Sequence, residues 1–272
     1  MYKLSTKTQE QKKALNREFK SKMLNKIVET ISTTEIRNLV GFRGGAILHL
    51  AYSSPRYTND LDFIWLNSND FETKSKIISI LSDHKLKVED YPMELKVKKC
   101  NDDVLRLSYS IKTDESGFNP TFIVESADNT NEKIDLVDYS TSNGYIKIEK
   151  PEDILIDKII ATMNRFKTRQ SIKDTDVFDI SFLTNKKRFI TSDIIYSKSE
   201  SYNIKEYEVK GLLSESSNYI HLNKNKIWNS ITEQLDSTHV LNVDKDLIIM
   251  HTLHVLKYTY NILKKEEQLK LF

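Results

Sequence analysis

The sequence predicts an α/β (α+β) chain, with helices flanking a sheet over residues 1–150 and a mostly helical region over residues 151–272. Three observations carry that expectation. Runs rich in β-branched and aromatic residues recur between positions 60 and 139, separated by turn-like clusters such as Asn101-Asp102-Asp103 and Asp114-Glu115-Ser116-Gly117. Stretches with apolar residues at helical spacing stand before and among those runs. Beyond Pro151 the main apolar runs recur at helical spacing.

Residues 5–32 read as a helix capped by Ser5 or Thr6, with Leu15, Phe19, Met23, Ile27 and Val28 on one face and lysines and glutamates on the other. Such a helix packs on a domain through its apolar face. Val40 and Phe42 belong to a short apolar segment that runs into Gly41-Phe42-Arg43-Gly44-Gly45. The chain has 6 glycines, and three of them fall in that window. A chain so poor in glycine places them where the backbone turns sharply or where something approaches too closely for a Cβ. Ala46 to Tyr52 reads as a helix, Ser53 to Asn59 as a polar loop containing Pro55, and Asp60-Leu61-Asp62-Phe63-Ile64-Trp65-Leu66 as a strand.

The period of two on a strand sets Asp60 and Asp62 on one face. Two neighbouring carboxylates repel unless a cation or a basic side chain lies between them. Hard oxygen ligands on a rigid strand suit Mg²⁺, which takes one or two carboxylates together with substrate phosphates. A glycine-rich turn feeding a helix offers backbone N–H groups to a phosphate. Adjacent metal and phosphate sites point to a nucleoside triphosphate held by its phosphates.

Phe42-Arg43-Gly44-Gly45-Ala46, followed by Ser54-Pro55-Arg56-Tyr57-Thr58-Asn59-Asp60-Leu61-Asp62-Phe63, resembles the first motif of the AbiEii/AbiGii-type nucleotidyltransferases. These are toxin components of bacterial toxin–antitoxin and phage-abortive systems, within the DNA polymerase β-like superfamily. The resemblance implies a nucleotidyltransferase fold with a mixed sheet and a helical C-terminal domain that closes the active-site cleft. One departure is Ala46, where relatives often carry a Thr or Ser hydroxyl able to bond phosphate.

Further along, Asp70 to His84 reads as a helix, and Glu94 to Lys98, Val104 to Ile111 and Thr121 to Glu125 read as strands. Leu95 and Val97 alternate with Glu94, Lys96 and Lys98, as on a strand with one wet face. The resemblance calls for a third carboxylate on a neighbouring strand, flanked by apolar residues. Asp135 fits, between Ile134 and Leu136; Glu125 is the alternative and Asp138 a weaker one.

Pro151-Glu152-Asp153 opens a helix well, with proline in the first turn and acids at the positive end of the dipole. Ile154, Leu155, Ile159, Met163 and Phe166 form its apolar face, and Lys158 lies close to it. A lysine there costs desolvation unless it meets an anion. Lys158, Arg165 and Asp176-Val177-Phe178-Asp179 also resemble the family's later motif, although Thr175 stands where relatives carry arginine. Arg165, Lys167, Arg169, Lys173, Lys186, Lys187 and Arg188 make a basic run, read either as a solvated helix end or as a face for RNA or the triphosphate. Residues 197–201 and 214–218 read as loops, 204–211 as helical, and 226–235 and 245–265 as helices of a bundle. His251 and His254 lack the carboxylate partner of a zinc-protease pattern and read as hydrogen-bonded helix histidines.

At 272 residues, with 39% hydrophobic and 29% charged residues, the composition is that of a globular protein. A net charge of +2 makes no case for nucleic-acid binding by itself, so any basic surface must be local. Cys100 is the only cysteine, which excludes an intramolecular disulfide and a cysteine-based zinc site. No apolar run approaches the roughly 18 residues of a membrane span, and the N-terminus has no apolar signal region. The expected compartment is the cytoplasm.

The resemblance implies transfer of a nucleoside monophosphate from an NTP to an acceptor hydroxyl, with pyrophosphate released. Asp60, Asp62 and Asp135 (or Glu125) would hold Mg²⁺, with Mn²⁺ as the alternative ion. Gly44 and Gly45, with Arg43, Arg56 and Lys158, would bind the nucleotide. Lys158 would neutralise transition-state charge, Asp176 would orient Lys158 or coordinate the acceptor, and Asp179 would hold its helix. The implied acceptor is tRNA or another RNA, and the implied protein partner a separately encoded antitoxin. Two alternatives use the same fold: a degenerate binding or regulatory module, and a small-molecule transferase acting on aminoglycoside-like substrates.

Overall fold

The computed structural model describes residues 8–67, 69–112, 119–126, 135–235 and 243–270. The expected caps Ser5 and Thr6, the break at residues 114–117 and Ile134 lie outside the described residues. The described chain falls into two compact units, one reaching to Ser126 and including Asp135–Glu149, the other beginning at Lys150.

The first unit opens with α1 (Gln9–Thr33). Its cap is Thr8, whose hydroxyl accepts from the Gln11 amide while the Gln11 side chain accepts from the Thr8 amide. Phe19, Met23, Leu24, Ile27, Val28 and Ile31 of α1 are buried, as the apolar spacing requires. A 3-10 turn (Glu35–Asn38) leads to β1 (Val40–Arg43), α2 (Gly45–Tyr52), β2 (Asp60–Trp65) and α3 (Phe71–Asp83). Asp70 caps α3 by accepting from the Thr73 amide at 2.7 Å. Six strands follow: β3 (Lys87–Val88), β4 (Tyr91–Cys100), β5 (Leu105–Ile111), β6 (Thr121–Ser126), β7 (Leu136–Ser140) and β8 (Tyr145–Glu149).

These strands form one sheet in the order β3-β4-β5-β6-β2-β1-β8-β7. β2 runs parallel to β6 and β1 parallel to β8, while the other pairs are antiparallel, so the sheet is mixed. Phe42, Leu61, Phe63, Leu107, Tyr109, Phe122 and Val124 alternate onto one face and are buried. α1 packs against β3, β6 and β8, and α3 against β4. The opposite parity carries Asp60, Asp62, Arg106 and Glu125, so the apolar alternation itself delivers these polar side chains to the other face. The turn between β4 and β5 is pinned from below. The buried Lys74 ammonium donates to the Asn101 and Asp102 carbonyls at 2.7 and 2.8 Å and lies over the Trp65 ring.

The second unit is helical: α4 (Pro151–Arg169), α5 (Asp174–Phe182), a 3-10 turn (Thr184–Phe189), α6 (Ser192–Ser201), α7 (Glu206–Leu222), α8 (Lys224–Thr232) and α9 (Lys245–Lys270). α4 packs on α5, α6 and α7, and α9 on α5 and α7. Two expectations are corrected here. Residues 197–201 and 214–218 are not loops but lie inside α6 and α7. Their serines are poor helix formers, yet Ser199 and Ser216 are buried in the bundle, and packing overrides propensity. β3 and β8 were not anticipated, although the Ile146/Ile148 alternation marks β8.

Candidate active site

The site starts where β1 ends. Arg43 stands opposite Asp62 in the β1–β2 register, and Gly44 then turns the chain into α2 with φ 76° and ψ −153°. Only glycine adopts that conformation without strain. A Cβ on Gly44 would lie 3.4 Å from Asp62 Oδ2, so the carboxylate lies against the turn. Gly45 is glycine for a different reason, because a Cβ there would collide with Arg56 Nη2. Arg56 is buried, and its Nη1 donates to the Tyr57 carbonyl at 3.2 Å. Gly44→Ala is expected to destabilise the protein by about 1–3 kcal/mol from backbone strain, read as a lower urea midpoint with an unchanged slope.

Asp60 and Asp62 share a face of β2 and are both half-buried. The Thr58 hydroxyl donates to Asp60 Oδ1 at 3.0 Å. From α1, Lys20 Nζ donates to Asn59 Oδ1 at 2.8 Å. Burial holds the Lys20 ammonium below the ordinary lysine range, and the charge of Asp60 opposes that shift. Lys20 carries no sequence signal of its own, whereas Thr58 stands within the first motif.

The third carboxylate needs a correction. Asp135 stands just before β7 at the sheet edge, with β8 and β1 between it and β2. At the spacing of neighbouring strands, three steps separate it from Asp62 by roughly 14 Å. Glu125 of β6 lies in register beside Asp62 and on the same face. Its Oε2 accepts from Arg106 Nε at 3.3 Å. Asp138, the weaker alternative, pairs with Lys147 at 3.2 Å on the surface.

Sequence reasoning missed Glu149, the last residue of β8. Its fully buried carboxylate accepts from the Gly44 amide at 3.4 Å and lies 3.8 Å from Arg43 Nη2, while the Tyr52 hydroxyl donates to its carbonyl at 3.0 Å. It thus fastens the start of the glycine turn and the last residue of α2 to β8. An acid closing an Ile-Lys-Ile run was the available signal.

In the helical unit, Lys158 of α4 meets two carboxylates of α5, Asp176 at 2.7 Å and Asp179 at 3.1 Å. The next residue back, Asp157, is ion-paired with Lys198 of α6. Lys158 is therefore an ion-paired lysine with a largely buried stem. Thr175, where the expected arginine is missing, is buried and directly precedes Asp176. Within the basic run, Lys167 is taken by Glu208 at 2.8 Å and Lys187 donates to His254 Nε2 at 2.7 Å.

The family model described as the nucleotidyl transferase AbiEii toxin of type IV toxin–antitoxin systems matches residues 26–244. The chain belongs to this family. No curated protein matches it. Among solved structures, a candidate nucleotidyltransferase from Helicobacter pylori aligns over 93% of this chain and 96% of its own, at 19% identity and a TM-score of 0.56. JHP933 from Helicobacter pylori aligns over 95% and 97%, at 18% identity and a TM-score of 0.55. Identities this low show the shared fold.

As an AbiEii-family member the chain is a nucleotidyltransferase toxin with an α/β nucleotidyltransferase fold. Among the described residues, no three His, Cys, Asp or Glu side chains form a ready-made metal cluster. Asp60 and Asp62 still fit Mg²⁺, because that ion takes one or two protein carboxylates and fills its remaining positions with water and phosphate oxygens. No helix among the described residues is long and apolar enough to cross a membrane.

Proposed function

We propose that this AbiEii-family nucleotidyltransferase moves a nucleoside monophosphate from an NTP to a hydroxyl of an RNA acceptor, tRNA foremost, with Mg²⁺ required and pyrophosphate released. The observation that carries the reading is the juxtaposition of the Asp62 carboxylate with the left-handed Gly44 at the start of α2. Asp60 and Asp62, with Glu125 as the third carboxylate, would hold Mg²⁺ (or Mn²⁺), which supplies charge neutralisation on phosphate oxygens when bound. The first-turn amides after Gly44, with Arg56 packed on Gly45, receive the β- and γ-phosphates. Arg43 balances Asp62 across the register and keeps its own orientation through Glu149. Within the helical unit, Asp176 and Asp179 fix the ammonium of Lys158, the residue to which the family resemblance assigns charge neutralisation. The cytoplasm is the compartment for this chemistry, and a separately encoded antitoxin its protein partner.

The test has two parts. Each NTP with Mg²⁺ should raise the melting temperature, since a ligand of the native state at a hundred times its dissociation constant adds about 2.7 kcal/mol. Incubation with α-labelled NTP and total RNA should place label on RNA. No thermal shift with any NTP would favour the degenerate binding module, a reading supported by Ala46 and Thr175. Label on an aminoglycoside instead of RNA would move the acceptor to the small-molecule class.

A further inference from the structure

The register across the sheet places a single row of charge on the face that carries Asp60 and Asp62. Lys99 of β4 stands beside Arg106 of β5, Arg106 beside Glu125 of β6, Glu125 beside Asp62 of β2, and Asp62 beside Arg43 of β1. The neighbouring row runs Lys96, Ser108, Ile123, Asp60. On the β4–β5 side of the carboxylates, both rows therefore hold cations and no acid. The next acid on that parity, Glu94, is paired with Lys112 at 2.9 Å.

Lys99 reaches this row only because of an irregularity. Strict alternation from Val97 would put Lys99 on the apolar face, since Val97 pairs with Leu107 of the buried set. The register shift between Val97 and Lys99 inserts one residue and turns Lys99 to the carboxylate face. Bulges of this kind re-aim side chains beside active sites. An edge strand needs lysines only for solubility, on either face; a bulge that brings one into line with Arg106 is more specific. The turn that follows is held by buried Lys74, so the strip rests on a fixed base.

Direction then assigns the strip. The glycine turn that receives the leaving pyrophosphate lies on the β1 side of the carboxylates. In-line displacement puts the attacking oxygen and the leaving group on opposite sides of the phosphorus. The acceptor must therefore approach over β6, β5 and β4. The geometry points to Lys96, Lys99 and Arg106 as the surface that binds the phosphate backbone of a nucleic-acid acceptor. This assignment rests on the transfer reading above and deepens it by fixing the acceptor as a polyanion. Arg106 has a second role as the positioning partner of Glu125: its Nε lies 3.3 Å from Glu125 Oε2 while its side chain stays 48% exposed.

The test measures binding without catalysis, using fluorescence anisotropy of end-labelled tRNA and of mixed-sequence single-stranded RNA across a salt series, with no NTP present. Lys99→Glu touches no carboxylate of the site and is the cleaner variant. It should weaken RNA binding about tenfold and flatten the plot of log affinity against log salt by about one unit, as for loss of one phosphate contact. Arg106→Gln should do the same and Arg106→Lys should recover most of the loss, while Lys76→Glu, on α3 and paired with Glu35, should leave binding as in wild type. The NTP-dependent thermal shift of Lys99→Glu should match wild type. The assignment is overturned if Lys99→Glu and Arg106→Gln keep wild-type affinity and slope, if wild type binds neither RNA, or if only charge reversals within residues 165–188 weaken binding. RNA binding through the strip with no NTP-dependent shift in wild type would instead sink the transfer reading and leave the strip standing.

Discussion

Asp62→Asn is expected to lower label transfer from NTP by on the order of 10³, the scale seen when one charge-stabilising group of a transition state is removed. Asparagine keeps the shape of the side chain and the close approach to Gly44, so the turn into α2 has no reason to move. What disappears is a negative charge placed between Arg43 on β1 and Glu125 on β6. Without it, a divalent cation would lose one of the three strand-borne carboxylates proposed to hold it. Transfer assayed with α-labelled NTP, beside far-UV circular dichroism to show an unchanged fold, checks both halves. A variant that still labels its acceptor at the wild-type rate removes the metal role from Asp62.

Lys158→Met is expected to cost about 3–5 kcal/mol of stability, the range for breaking a buried ion pair from one side. Asp176 and Asp179 are essentially closed to solvent, and both rely on the same ammonium. Methionine fills the volume of the lysine stem, so the loss comes from two buried carboxylates left without their cation and not from a cavity. Urea denaturation of the variant measures it. Lys158→Met combined with Asp176→Asn and Asp179→Asn should recover a large part of the loss, because burying neutral groups is far cheaper than burying unpaired charge. A single Lys158→Met variant with a wild-type midpoint would mean that this cluster carries no stability. Transfer activity would then be judged separately.

Much of the site was legible because its logic is local. Asp60 and Asp62 follow from the two-residue period of a strand, and the glycine concentration at 41–45 marks the turn that places Gly44 against Asp62. Lys158 was readable as a cation too close to an apolar helix face, and its partners Asp176 and Asp179 stand one helical turn apart on α5. The failures share a different cause. Asp135 has the flanking residues of a strand carboxylate, but those residues do not say which strand is its neighbour. Sheet order is decided by pairings between distant segments, and that order puts Glu125, not Asp135, beside Asp62. Lys99 was hidden by a bulge, which no alternation pattern announces. The serine-rich stretches of α6 and α7 read as loops because their local preferences were outvoted by the bundle around them.

The tie between Gly44 and Glu149 joins residues 105 positions apart. At synthesis rates of 5–20 residues per second, the ribosome needs roughly five to twenty seconds to travel between them. Throughout that interval the nascent chain carries its carboxylate pair without the acid that fastens the turn beside it. The turn at Gly44 is therefore fastened only after β8, the last strand of the sheet in chain order, has left the exit tunnel.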